Sequence, residues 1–203
     1  DLPPTERLEY AASADDQRYR LAATAPAKLG VVQRLVKQHE GERILIIGQA
    51  PGTKVHASGV PWDDDSGDRL REWLGLDKPT FYNAEKVAQM PMGFCYPGRA
   101  ASGDAPPRKE CAPQWHDAVL GLLPADRLTL LVGVHAQARY LPHLKRLSLT
   151  ERVSRFGEDL PFIALPHPAW RSRMWMAKHS WFEADILPAL REQVRTVLAQ
   201  VMR

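Results

Sequence analysis

Cysteine is scarce in this chain: two among 203 residues, Cys95 and Cys111, with no CxxC pair. The scarcity excludes a disulfide framework and a thiolate metal cage, and leaves both thiols as structural side chains. The seven histidines show no HxxxH or HExxH spacing, so no metal is expected. The Gly-rich phosphate loop ending in Lys-Ser/Thr and the GxGxxG dinucleotide fingerprint are both missing. No apolar run approaches the roughly 20 residues of a membrane helix. The opening DLPPTERLEY is too polar for a secretory signal, so the expectation is a cytoplasmic chain with no membrane partner. Charge of one sign is lacking too: 27 basic against 24 acidic side chains leave a net charge of +3. That excess suits a polyanion and an ordinary surface about equally, so the placement of the cations matters more than their sum.

What is present is ordinary globular composition, 44% apolar and 25% charged, in a length that builds one core. A single domain over residues 1–203 is expected, with an N-terminal helical segment, residues 1–40, packed on it. Intermittent apolar residues from Thr5 to about Gln38 predict two helices there. RILIIG, Arg43 to Gly48, reads as a buried parallel strand; Ser66 is placed to cap a helix that Gly75 closes. Lys86 to Phe94 reads as a second strand, limited by Pro91 to an edge or an end, and Tyr96 to Cys111 as a long surface loop. Further helices are expected at Ala112 to Leu123 and Val134 to Leu141, and strands at Arg127 to Gly133 and Leu160 to Leu165. Capping boxes are expected at Ser148/Glu151 and Ser180/Glu183, and a terminal helix from Trp181 to Val201 bent by Pro188. Strands alternating with helices define an α/β fold: a three-layer αβα sandwich around a small, mostly parallel four-stranded sheet. Ligands bind such sheets at the strand carboxyl ends, where three loops follow strands: GQAPG onward, MGFCYPGR and HPAWRS.

Each loop carries chemistry with a plain alternative. GQAPG makes either a nest of backbone amides or a simple turn. Trp62, between Pro61 and Asp63, either offers a flat face to a planar ring or anchors its loop on the core. Asp63, Asp64 and Asp65 would raise one another's pKa if crowded in a cleft, one of them orienting water or stabilising a cation; otherwise they cap the next helix or stay solvated. His167, stiffened between two prolines, can donate to developing negative charge or rest as a satisfied loop histidine. Arg99, Arg108, Lys109, Arg171, Arg173 and Lys178 fall in or beside the loops, which suits phosphate contacts and scattered surface charge alike.

Taken together and in this order, GQAPG…GVPWDDDSGDRL, MPMGFCYPGR and LPHPAWRS…WFEADILPALREQV resemble the uracil-DNA glycosylase superfamily from about Arg43 to Val194, in particular its bacterial GEAPG and GLAPA members. The block PPRKECAPQWHDAVL is similar to the same members. The resemblance implies a monomeric enzyme that flips a damaged base out of DNA and hydrolyses its glycosidic bond. It implies that Gly48, Gln49 and Ala50 contact the base, Gln49 among the catalytic groups, that Trp62 stacks on it, and that His167 bonds its carbonyl as it leaves. It implies Asp64 or Asp65 beside the sugar cation, with the register open by one residue, and Gln89 or Asn83 as the amide that reads the base. Ala169, Trp170 and Arg171 are the segment that enters the groove, with Ser66, Arg99 and Arg173 as further DNA contacts. The four cysteines of the iron-sulfur members are absent and no cofactor is expected; Ala50 stands where the best-known members carry an aspartate. The alternatives are a non-catalytic DNA-binding or damage-sensing module, and an enzyme of free nucleosides or nucleotides.

Overall fold

The computed structural model describes residues 43–101 and 103–200; the helices expected between Thr5 and Gln38 lie outside them. Along the chain, β1 (Ile44–Gly48) leads to α1 (Thr53–Ser58), α2 (Asp65–Leu74) and α3 (Lys78–Phe81). Next, β2 (Val87–Pro91) leads through two short strands, β3 (Arg99–Ala100) and β4 (Gly103–Asp104), to α4 (Cys111–Leu120). Then β5 (Leu128–Val132) is followed by α5 (Val134–Tyr140) and α6 (Leu149–Ser154), and β6 (Phe162–Leu165) by α7 (Ser172–Lys178) and α8 (Leu187–Gln200). The main sheet runs β2-β1-β5-β6 with every pair parallel.

Strand alternation builds the three layers. Ile44 and Ile46 face Leu70, Trp73 and Leu74 of α2 and Leu190 and Val194 of α8. Leu45 and Ile47 face Ala112 and Val119 of α4 and Ala136 of α5 on the other side. All four are fully buried, each contributing about 1.5–3 kcal/mol of apolar transfer. The chain leaves β1 for β2 on one side and later returns to β5 on the other. The order therefore reverses between β1 and β5, and a crevice opens at their carboxyl ends.

Four local expectations are corrected. The cap of α2 is Asp64, whose carboxylate accepts from the Gly67 amide at 2.8 Å; Ser66 lies inside the helix, because Asp64 already has extended backbone two residues earlier. The Tyr96 to Cys111 stretch holds the β3/β4 hairpin, its carboxyl-terminal strand ending at Asp104. Ser148 and Glu151 form their capping box, but no side chain caps the turn at Ser180. Finally, the terminal helix is helical throughout from Trp181 to Gln200, and in place of the simple bend expected at Pro188 it carries a π-helical turn, Phe182–Ile186, that runs directly into α8 just before the proline. Pro91 closes the edge strand β2 opposite Gly48, the end position its lack of a donor permits.

Candidate functional site

The loop after β1 is built around Trp62. Its backbone is left-handed, φ 59°, a conformation that costs a non-glycine residue about 1–3 kcal/mol unless neighbours enforce it. They do. The Trp62 carbonyl lies over Gly67, where a Cβ would come within 1.7 Å of it, so only glycine fits below. Buried Arg71 of α2 donates to that carbonyl at 3.3 Å and to the Tyr82 hydroxyl at 3.4 Å, while Tyr82 donates to the Pro61 carbonyl at 2.9 Å. Arg71 is further held by an ion pair with Asp68 and by the faces of Phe81 and Tyr82. So clamped, the indole extends across the end of β1, with Cζ2 2.6 Å from where a Cβ on Gly48 would stand.

The loop after β6 brings His167 to the same rim. Its ring centre lies 6.0 Å from that of Trp62, the planes tilted by 34°. Burial pushes the His167 pKa below its ordinary 6.5, against the opposing pull of the Asp64 charge, with a lesser push from His135. The imidazole is therefore neutral at pH 7, with one N–H to donate. Arg69 of α2 holds the next two carbonyls, of Pro168 at 3.3 Å and Ala169 at 2.9 Å, fixing the path toward Trp170. Trp170 stands 68% exposed, with the Arg171 guanidinium 5.4 Å from its ring centre.

The end of β2 forms the floor. Gln89 donates from Nε2 to the Phe81 carbonyl at 3.0 Å, while its Oε1 is sheltered and has no partner. Beneath it, fully buried His116 of α4 contacts the Pro91 carbonyl through Nε2 at 3.1 Å and the Tyr140 hydroxyl through Nδ1 at 2.6 Å. A carbonyl only accepts, so Nε2 carries the proton and Nδ1 accepts from tyrosine. Burial lowers the His116 pKa to about 4.

These parts enclose a cleft of about 1070 Å³. Of the candidate residues, Gly48, Gln49, Ala50, Trp62, Asp64 and Ser66 line it from the first loop. Gln89 lines it from β2, and His167, Ala169, Trp170 and Arg171 from the last loop. Four others do not. Asp65 is exposed and pairs with Lys54 at 3.0 Å, which holds its carboxyl below the usual range. Asn83 is spent in a turn, accepting from the Glu85 amide. Arg99 is exposed on β3, and Arg173 on α7. The sequence reading passed over Arg69 and Arg71, although Arg71 stands three residues before Leu74 on the apolar stripe of α2, an unusual place for a charge. It also passed over His56, Tyr96 and Asp104, lining residues contributed by α1 and the hairpin.

Among the described residues no three His, Cys, Asp or Glu side chains gather as a metal site, and no helix is long and apolar enough to cross a membrane. A cluster held by four cysteines does not fit this chain, which has two; Cys111 is buried with its Sγ accepting from the Phe94 amide.

The fold and the rim define a class: a three-layer α/β protein that gathers an indole, a neutral imidazole and a carboxylate where its parallel strands end. Residues 38–191 match the family model of the uracil DNA glycosylase superfamily. The chain belongs to that superfamily, in general hydrolytic glycosylases acting on DNA. Separately, a stretch of 48 residues, 24% of this chain, is 54% identical to DNA 3'-5' helicase XPB of Kineococcus radiotolerans. The match spans 9% of that protein's length.

Proposed function

We propose that the chain hydrolyses the N-glycosidic bond of uracil, or of a related deaminated base, in a nucleotide flipped out of DNA. The observation that carries this reading is the meeting of Trp62 and His167 at one rim, 6.0 Å apart, with Asp64 close enough to act on the imidazole's charge. An everted pyrimidine stacks on the indole. As the bond from sugar to base lengthens, its electron pair leaves with the base, and neutral His167 donates to the base oxygen where charge collects. Asp64 supplies negative charge toward the oxocarbenium-like sugar, which water then attacks, releasing a proton. The unpartnered Gln89 Oε1 accepts from a ring N–H, relieving a buried acceptor that costs about 1–3 kcal/mol when unmet. Trp170 occupies the gap in the duplex, and Arg171 beside it contacts phosphate.

The test is release of free base from a uracil-containing oligonucleotide. Replacing His167 with Ala should slow release about 100-fold or more, the usual cost of one donor to a developing anion, while changing DNA affinity little. Equal losses in both would put His167 in binding alone. A second reading has its own observation: Ala50 offers no carboxylate beside β1, and Asp64 already caps α2. Salt-dependent DNA binding without base release over long incubation would select that reading, a damage-sensing module.

A further inference from the structure

The cleft is larger than one base requires. Pockets that enclose a whole drug-sized molecule run about 300–1,000 Å³, and this one measures about 1070 Å³. Besides the residues around Trp62 and His167, the cleft has a limb of wall formed by His56 of α1, Tyr96 and Asp104. The His56 and Tyr96 rings stack, centres 5.4 Å apart and planes within 26°. The phenol is held before any ligand arrives: Thr53 donates to its oxygen at 3.2 Å, and it donates in turn to Asp104 Oδ1 at 3.4 Å. Asp104 lies against the start of α1, its Oδ2 3.1 Å from where a Cβ on Gly52 would stand.

We infer that this limb is a stacking subsite for the nucleobase next to the excised one, and that the preferred substrate is single-stranded DNA. The inference rests on the glycosylase reading and extends it to a substrate class. A stacked pair whose phenol oxygen is already engaged gains from a ligand chiefly through its aromatic faces, and every base has a face to stack. Asp104 repels phosphate and accepts from the amino groups of base edges, so the occupant is a base rather than backbone. In a duplex the neighbour would have to be unpaired and unstacked as well as the target, whereas a single strand presents both bases free.

The experiment first compares uracil release from one strand alone and annealed to its complement, where the single strand should give the higher kcat/KM and an equal or lower value would overturn the strand preference. It then uses single strands with one uracil whose 5' or 3' neighbour is replaced by an abasic spacer. With the unmodified protein, one of the two spacers should raise KM for uracil release about tenfold. The effect should vanish in Tyr96→Ala and persist in Tyr96→Phe, which keeps the ring. Uracil release indifferent to both spacers would overturn the subsite and leave the glycosylase reading standing. If no oligonucleotide releases base, that reading fails, and fluorescence anisotropy with the same labelled strands decides the subsite: weaker binding to one spacer strand, lost in Tyr96→Ala, supports it, and equal binding overturns it.

Discussion

His116 makes the floor of the cleft sensitive to acid by an amount the structure sets. In the unfolded chain its imidazole titrates near 6.5, in the fold at about 4. The folded value is the depressed one, so the stability contribution is complete above 6.5 and is lost as pH falls toward 4. Across that window the unfolded chain holds a proton the fold refuses, and stability drops by about 1.4 kcal/mol per pH unit, to a limit of about 3 kcal/mol. Against the usual 5–15 kcal/mol for a domain, such a loss is large. The variant that isolates it is His116→Gln, whose amide can still donate to the Pro91 carbonyl and accept from Tyr140. Urea unfolding followed by tryptophan fluorescence should find the variant less stable at about pH 7, and the gap to wild type should close by about 2 kcal/mol at about pH 4.5. Other groups titrate in both proteins and cancel in the difference. A gap that stays constant with pH would refute the neutral, proton-donating imidazole.

Three further outcomes follow from the clamped loop and the rim. Gly48→Ala puts a Cβ 2.6 Å from the Trp62 ring. The indole must swing outward, so base release should fall more than tenfold while stability drops by only about 1–3 kcal/mol; full activity would detach Trp62 from the reaction. Arg71→Lys and Tyr82→Phe both loosen the Pro61 and Trp62 carbonyls, and in a double-mutant cycle on base release their effects should be non-additive by about 0.5–3 kcal/mol, whereas simple addition would mean two separate clamps. Arg171→Ala should weaken duplex binding and lower the slope of log affinity against log salt by about one, with an unchanged slope removing it from phosphate contact.

The unbroken apolar run of Ile44 to Gly48, the apolar runs at β5 and β6, and helical periodicity between them made the α/β class legible, because burial on both faces of a parallel sheet demands those residues. The loops were legible as loops, and the order of their motifs pointed to the superfamily. The hairpin at Arg99 to Asp104 was not, since two-residue strands carry too few side chains to show a period. Likewise Asp63, Asp64 and Asp65 are equivalent in a string of letters. In space one pairs with Lys78, one caps α2 inside the cleft, and one turns outward to Lys54.

Sequence alone determined which segments would form the sheet and which loops would stand at its carboxyl ends, because periodicity and glycine or proline punctuation act over a few neighbouring residues. Tertiary structure alone decided that Arg71, nine residues on, holds Trp62 in a left-handed backbone, that Asp64 rather than Asp65 acts on His167, and that Tyr96 stacks on His56 from 40 positions along the chain. Those contacts depend on where whole elements pack, and packing is a property of the assembled core rather than of any local run of residues.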